Sequence, residues 1–295
     1  MTDQPDSETI EVKRRRLRAA IRQYRLDAAL TQKQAADELG WSISKIVRVE
    51  QGAVPIVPSD VRAMLHLYGE TDPDQMEKLV GLAKAAREQK GFAEFSDIAS
   101  QEYQELLGLE RSAKVVYKYE PSVVPGLFQT YDYARALSRA LGSSERTVER
   151  QVDLRMQRQL LLEAPQRPEL NFILGEASVS RPVGGVDVMN EQLNRLLELS
   201  TQDGVNLWLL PFAAGPHRAM GSAFTIMEFA DPQLPDLLYL ENAERESTSR
   251  DEKVQIKFYE ELFLQLRLLA AEHGSFEEQV RTIRRQRFGA TPDPA

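Results

Sequence analysis

Histidines at positions 66, 217 and 273 and a complete lack of cysteine bound the chemistry open to this 295-residue chain. Without cysteine there is no disulfide, no thiolate zinc site and no thiol nucleophile. His217 lies in a glycine-rich stretch, AAGPHRAMGS, with Ser178, Ser222 and Glu176 in the same half. A catalytic triad needs a nucleophile, a base and an orienting acid, and neither serine sits in a GxSxG elbow. One histidine among scattered carboxylates is not a zinc signature. Arg181 to Gly185 (RPVGG) leads into a helix N-terminus, where backbone N–H groups can hold an anion. It has neither the lysine and glycine spacing of a P-loop nor a GxGxxG fingerprint. The expectation is no catalytic residue, no metal and no cofactor. His217, Arg218, Arg181 and Gln129 stand as candidate ligand or partner contacts, against a plainer reading in which they pin loops and the turn at Val124 to Gly126.

Cationic chemistry is more informative. The chain carries a net charge of −8, yet Val12 to Val57 holds ten Lys or Arg against four Asp or Glu, a net of +6 that leaves −14 elsewhere. A basic head on an acidic body favours phosphate contact at one end only. Within that head, TQKQAADELGWSISKIVRVE at Thr31 to Glu50 dictates its own local structure. Small Ala36 allows close helix approach, and Gly40 sits where the chain must reverse and positive φ is useful. Ser42 caps a second helix, whose Ile46 and Val49 form one apolar stripe with Ala35, Ala36 and Leu39 of the first. This is the layout of a helix-turn-helix, whose second helix enters the DNA major groove. A preceding helix over Val12 to Ala28 turns Leu17, Ile21, Tyr24 and Leu26 inward and six basic residues outward. The VEQG run ends the recognition helix, and Ser59 and Asp60 open a further one.

Residues of about 12 to 70 resemble an XRE-type domain, the Cro and phage-repressor kind of helix-turn-helix. That resemblance implies that Ile43, Ser44 and Arg48 read bases. Arg48 suits a bidentate contact to guanine and Ile43 suits a thymine methyl. It implies that Thr31, Gln32, Lys45 and Arg14, Arg15 and Arg16 meet phosphate, and that Arg25 and Glu50 form a buried structural ion pair. One such head reads about one half-site, so a homodimer on a near-palindromic double-stranded operator is implied.

The remainder reads as a connector and a larger mixed domain. Helical spacing over Asp74 to Gln89 closes the first domain, Gly91 to Ser100 is a joint, and Ser100 to Arg111 is another helix. Ala113 to Tyr119, Leu170 to Leu174, Val205 to Phe212, Ala223 to Phe229 and Asp236 to Glu241 read as strands. Helices are expected over Leu127 to Leu141, Glu145 to Glu163, Val186 to Thr201 and Asp251 to Glu272, with a basic one ending near Phe288. Strand, helix, strand across the middle suggests a parallel crossover, and the last two strands are close enough for a hairpin or meander. The fold class is therefore an N-terminal all-α helix-turn-helix bundle and a C-terminal α/β (α+β) domain with a small mixed sheet and flanking helices. The expected divisions are a disordered tail 1–11, a DNA-binding domain 12–90, a connector helix 91–112, a regulatory or partner-binding domain 113–288 and a disordered tail 289–295. No window approaches the ~20 apolar residues of a membrane span, and the polar start is unlike a signal peptide. The expectation is a cytoplasmic protein.

YEPSVVPGLFQTYDYARAL at Tyr119, RQLLLEAPQRPELNFILGEASVSRPVGG at Arg158 and VNLWLLPFAAGPHRAMGSAFTIMEF at Val205 look like three blocks of a C-terminal domain of actinobacterial XRE regulators. That family is WhiJ-like, is described as antitoxin-like, and its large domain is of unknown function. The resemblance implies a non-enzymatic transcriptional regulator whose C-terminal domain receives a small acidic partner protein encoded nearby. A regulator sensing a small molecule in that domain is the alternative, and a DNA-binding head fused to an enzyme is the third reading.

Overall fold

The computed structural model describes residues 9–52, 54, 56–88, 92–241, 247–250 and 253–289. Residues 1–8 and 290–295 of the expected tails lie outside this range, as do Gln89, Gly91 and Asp251 at the ends of expected segments. Two compact units are present, one running to Glu94 and including Phe229–Pro235, the other built from Phe95–Glu228 and Asp236 onward.

The first unit is a bundle of α1 (Ile10–Asp27), α2 (Gln32–Leu39), α3 (Ile43–Gln51), α4 (Pro58–Leu67) and α5 (Pro73–Glu88). Leu17 and Ile21 of α1 meet Ala35 and Ala36 of α2, Ile46 and Val49 of α3, and Val61, Met64, Leu65, Leu79, Val80 and Ala83 of α4 and α5 in one apolar core. Helix α1 begins at Ile10, where Thr9 caps it, so Ile10 and Glu11 are helical and buried rather than part of a tail.

The second unit is a three-layer α/β fold. Its helices are α6 (Gln101–Glu110), α7 (Tyr131–Ala140), α8 (Glu145–Gln159), α9 (Glu176–Ser180), α10 (Val186–Ser200), α11 (Lys253–Ala271) and α12 (Phe276–Phe288). Its strands are β1 (Val115–Glu120), β2 (Glu169–Gly175), β3 (Val205–Leu210), β4 (Phe224–Glu228), β5 (Leu237–Glu241) and β6 (Ser247–Arg250), in the order β3-β2-β1-β4-β5-β6. β1, β2 and β3 are parallel neighbours, and β4, β5 and β6 add antiparallel on the other side of β1. The sheet is therefore mixed, as the sequence pattern requires, with β6 as a strand that pattern did not announce. On one face α11 lays Ile256, Leu262, Phe263, Leu266 and Ala270 on Tyr119, Ile173, Phe224, Ile226 and Leu238. Successive side chains alternate across a strand, so Phe172 faces the other way, and there Phe128 packs on it with ring centroids 4.7 Å apart. The expected single helix over Leu127 to Leu141 is two pieces. A 3-10 turn, Gly126–Phe128, precedes Thr130, whose hydroxyl caps α7.

That second face carries a charge layer. Arg158 of α8 donates from Nε and Nη2 to the two carboxylate oxygens of Glu110 at 2.7 and 2.6 Å, and from Nη1 to Tyr103 Oη at 3.2 Å. Helix α6, expected as a connector, is thus fastened into the second unit, with Leu106, Leu107 and Leu109 buried. Lys118 of β1 donates to Glu241 Oε1 at 2.9 Å and lies 3.6 Å from Glu120 Oε2. Burial pulls the Lys118 ammonium down, but the carboxylates of Glu241 and Glu120 outweigh it and hold it above its ordinary value. Burial pushes Glu120 up against the pull of that same lysine.

Removing one member of a buried pair leaves the other charge uncompensated, at a cost of about 3–5 kcal/mol. Glu110→Gln is therefore expected to destabilise the second unit by about that amount, read as the loss of the Trp208 fluorescence transition at a lower denaturant concentration in a Trp41→Phe background. An unchanged midpoint would show that the pair contributes nothing.

Candidate nucleic-acid interface

The turn between α2 and α3 is built from local signals. Thr31 Oγ1 accepts the Gln34 N–H at 3.2 Å and Gln34 Oε1 accepts the Thr31 N–H at 2.9 Å, a reciprocal capping box. Gly40 ends α2 at φ 66°, a left-handed geometry that a residue with a Cβ resists. Ser42 Oγ then accepts the Lys45 N–H at 3.2 Å and starts α3.

Ile46 and Val49 point into the core, which leaves the opposite face of α3 outward. Ile43 is 51% exposed despite being aliphatic, and Ser44 and Arg48 are exposed one helical turn apart. Gln51 is exposed at the end of the same helix and Val47 is half-buried on it. Val47 lies three residues after Ser44 and Gln51 three after Arg48, a spacing that could have marked both as neighbours of the outward-facing set.

The orientation of this face is held by one polar cluster. Arg25 donates from Nε to Glu50 Oε1 at 2.6 Å, from Nη2 to Glu50 Oε2 at 3.0 Å and from Nη1 to the Leu30 carbonyl at 2.6 Å. Gln32 Nε2 donates to Glu50 Oε2 at 2.8 Å. The hydrogen bond to Glu50 raises the Arg25 guanidinium above its ordinary value against the opposing effect of burial.

Several of the residues expected to meet phosphate also have partners within the first unit. Gln32 uses its amide on Glu50. Lys45 pairs with Asp60 at 2.9 Å and lies 3.4 Å over the Trp41 ring, because one helical turn separates it from that indole. Arg14 donates twice to the Ala86 carbonyl, Arg15 is buried and donates to the Pro235 carbonyl, and Arg16 pairs with Asp231 at 2.5 Å. The Arg14 to Arg16 run therefore closes the first unit upon itself. Thr31 remains exposed at the head of α2, spending its hydroxyl on the cap.

In the second unit the four candidate ligand or partner residues do different things. Gln129 is buried, donates to the Val124 carbonyl at 2.7 Å and accepts from Gln159 at its backbone oxygen, so it fastens the ValProGly turn rather than lining an exposed helix start. Arg181 is exposed at the end of α9. His217 Nε2 lies 3.5 Å from Tyr119 Oη, and its Nδ1 is buried with no hydrogen-bond partner among the described residues. Arg218 lies over the Phe258 ring, 4.8 Å from its centroid. The ends of β1 and β2 approach closely here, since a Cβ on Gly175 would come within 2.6 Å of the Pro121 oxygen. Among the described residues no group of three or more His, Asp or Glu could hold a metal, and no helix is long and apolar enough to cross a membrane.

A family model described as a helix-turn-helix domain matches residues 16–79. Another, described as a domain of unknown function (DUF5753), matches residues 103–276, more than half of the chain. No curated protein and no solved structure matches it.

Two outcomes follow from this geometry. Glu50→Ala strands the Arg25 charge and the Gln32 amide, so the first unit should lose about 3–5 kcal/mol, measured as denaturant unfolding followed by Trp41 in a Trp208→Phe background. A wild-type midpoint would remove the pair from the scaffold. Burial holds His217 below the ordinary histidine value, so the unfolded chain binds that proton more tightly than the folded one. Its contribution to stability is complete above the unfolded pKa of about 6.5 and is lost as pH falls through it. Between about pH 7 and 5.5 the melting temperature of the wild type should drop more than that of His217→Gln, and parallel slopes would contradict the assignment.

Proposed function

We propose, on the premise that this chain belongs to the DUF5753 family and carries a helix-turn-helix head, that it is a sequence-specific transcriptional regulator of the XRE kind. Helix α3 enters the major groove of a near-palindromic operator, with Ile43 against a thymine methyl, Ser44 on an adjacent edge and Arg48 bidentate to guanine. The single observation that carries this reading is the outward face of α3. A half-exposed isoleucine and an exposed arginine stand on a helix whose opposite face is fully used by the core. An aliphatic side chain left in water on a rigid helix has no value to folding, whereas a methyl-rich groove covers it.

On the same reading two copies bind the operator, and the second unit belongs to the WhiJ-like, antitoxin-like regulators whose signal is a small acidic protein encoded nearby. Exposed Arg281, Arg285 and Arg287 on α12 support that partner, because they offer a cationic strip on a body that is otherwise acidic. No reaction is assigned to the second unit. One observation favours small-molecule sensing as a second reading: the parallel strands β1, β2 and β3 end at a common edge, where α/β sheets bind ligands, and His217 brings there a buried nitrogen with no hydrogen-bond partner among the described residues.

Loss of a good bidentate base contact costs about 1–3 kcal/mol, so Arg48→Ala should bind DNA from around its own gene roughly five- to 150-fold more weakly. Circular dichroism should show the variant folded, and its preference at the contacted base pair should relax. Wild-type protein with no sequence preference, with or without its genomic neighbour, would overturn the regulator reading.

A further inference from the structure

Helix α11 is apolar on two sides. Ile256, Leu262, Phe263, Leu266 and Ala270 cover the sheet, as described above, and yet Val254, Phe258, Leu264 and Leu268 are 84%, 40%, 47% and 62% exposed. At about 100° per residue these four fall within an arc of about 120° opposite the buried stripe. An outward apolar stripe along a long helix signals a partner. Its spacing identifies which one. Counting from Val254, the steps to Phe258, Glu261, Leu264 and Leu268 are four, three, three and four residues. The stripe therefore reads the same from either end, with Glu261 at its centre.

We propose that this face of α11 pairs with the same face of a second copy of the chain, the two helices running antiparallel about a two-fold axis at Glu261. In that arrangement Val254 lies beside Leu268 of the second copy, and Phe258 beside Leu264 of the second copy. Each residue then meets its counterpart twice, as an isologous interface requires. Two glutamates facing each other on the axis would repel, but Lys257 sits one turn away and is exposed. The second copy's Glu261 lies about 6 Å along the axis from it, within the reach of a lysine stem. Two reciprocal Lys257–Glu261 pairs thus offset the glutamate contact. Lysine and glutamate balance within the stripe, which suits a second copy better than an acidic protein. Arg218 lies over the Phe258 ring and the Tyr259 ring meets it at 5.3 Å, yet Phe258 stays 40% exposed to a partner helix.

The surface gives a place to the dimer of the regulator reading, and it is tested without DNA, so the two stand or fall separately. The chain has no cysteine, so single cysteines can be introduced cleanly. Helices packed about 8–10 Å apart bring residues on a two-fold axis to the Cα separation of about 4.4–6.8 Å that a disulfide spans. Full-length Glu261→Cys should therefore form a covalent dimer under mild oxidation, whereas Glu272→Cys, about 16 Å along the helix, should not. By sedimentation, Lys257→Glu and Glu261→Lys should each weaken dimerisation about tenfold, and the double charge reversal should restore it. Leu264→Glu should be monomeric with an unchanged circular dichroism spectrum. A monomeric wild type, equal crosslinking at positions 261 and 272, or a double reversal no tighter than either single one would each overturn the proposal. The last two outcomes would point to a different dimer face, and the first to a partner other than this chain.

Discussion

The guanidinium of Arg25 and the carboxylate of Glu50 hold the recognition helix in place, and the candidate interface depends on them. Arg25 comes from the last turn of α1, its third bond goes to the Leu30 carbonyl in the turn that follows, and Gln32 adds a donor from the first turn of α2. Glu50 lies in the last turn of α3. Three helices and one turn therefore share a single polar cluster. Taking two charges out of water is expensive, and the attraction between them repays it only where every remaining donor and acceptor is used. Here the carboxylate accepts three hydrogen bonds and the guanidinium makes three. Apolar packing of Ile46 and Val49 supplies adhesion but tolerates sliding. The bidentate pair does not, because a shift of α3 by a fraction of its pitch would break planar hydrogen bonds inside the fold.

The second unit solves a related problem differently. Its central strand β1 places Lys118 and Glu120 on the same face, both buried, in a sheet covered mostly by apolar side chains. Neither could remain there alone. Glu241, brought alongside across β4 and β5, supplies the second carboxylate for the lysine, and Arg158 with Glu110 forms a separate bidentate pair on elements packed against that face. The long-range order β3-β2-β1-β4-β5-β6 is thus enforced by charge as well as by apolar burial, since a register slip would leave Lys118 without its partner.

Much of the first unit was legible because its signals are local. Capping by Thr31 and Ser42, the reversal at Gly40 and the stripe of Ile46 and Val49 each depend on residues a few positions apart. The parallel strands were legible from their apolar runs, and Arg25 with Glu50 through resemblance to known heads. What escaped is non-local or conformational. Nothing in the run Arg14 to Arg16 reveals that the carbonyl of Ala86 and the carboxylate of Asp231 receive two of them. Gln129 looks exposed on a helix start, and is buried because the turn at Val124 folds over it. Ala29 takes φ 55°, which its residue type does not announce. The strand Ser247–Arg250 is short and polar, and only pairing with β5 makes it a strand. In α11 the sequence shows abundant apolar residues but not which of two stripes faces the sheet.

This inward use of charge changes what the basic head can do. A net of +6 over Val12 to Val57 suggests a broad phosphate clamp, but Arg14, Arg15, Arg16, Arg25 and Lys45 all have internal partners. Lys33 and Arg48 are the exposed cations of α2 and α3. Each phosphate neutralised by a protein releases about 0.9 of a counterion, so two exposed cations on α2 and α3 would give those helices little non-specific affinity and a shallow dependence on salt. On the regulator reading proposed above, discrimination then rests on shape, on the Ile43 methyls and on Arg48 itself. On the same proposal a single head of this kind binds weakly. Joining two heads makes the second contact intramolecular, which multiplies affinity without adding a cation to either. The net charge of −14 outside Val12 to Val57 disfavours indiscriminate contact of the rest of the chain with DNA. On that proposal, a protein that keeps its arginines for its own scaffold in this way would rely on a second copy to bind tightly, and would gain selectivity because neither copy holds DNA well alone.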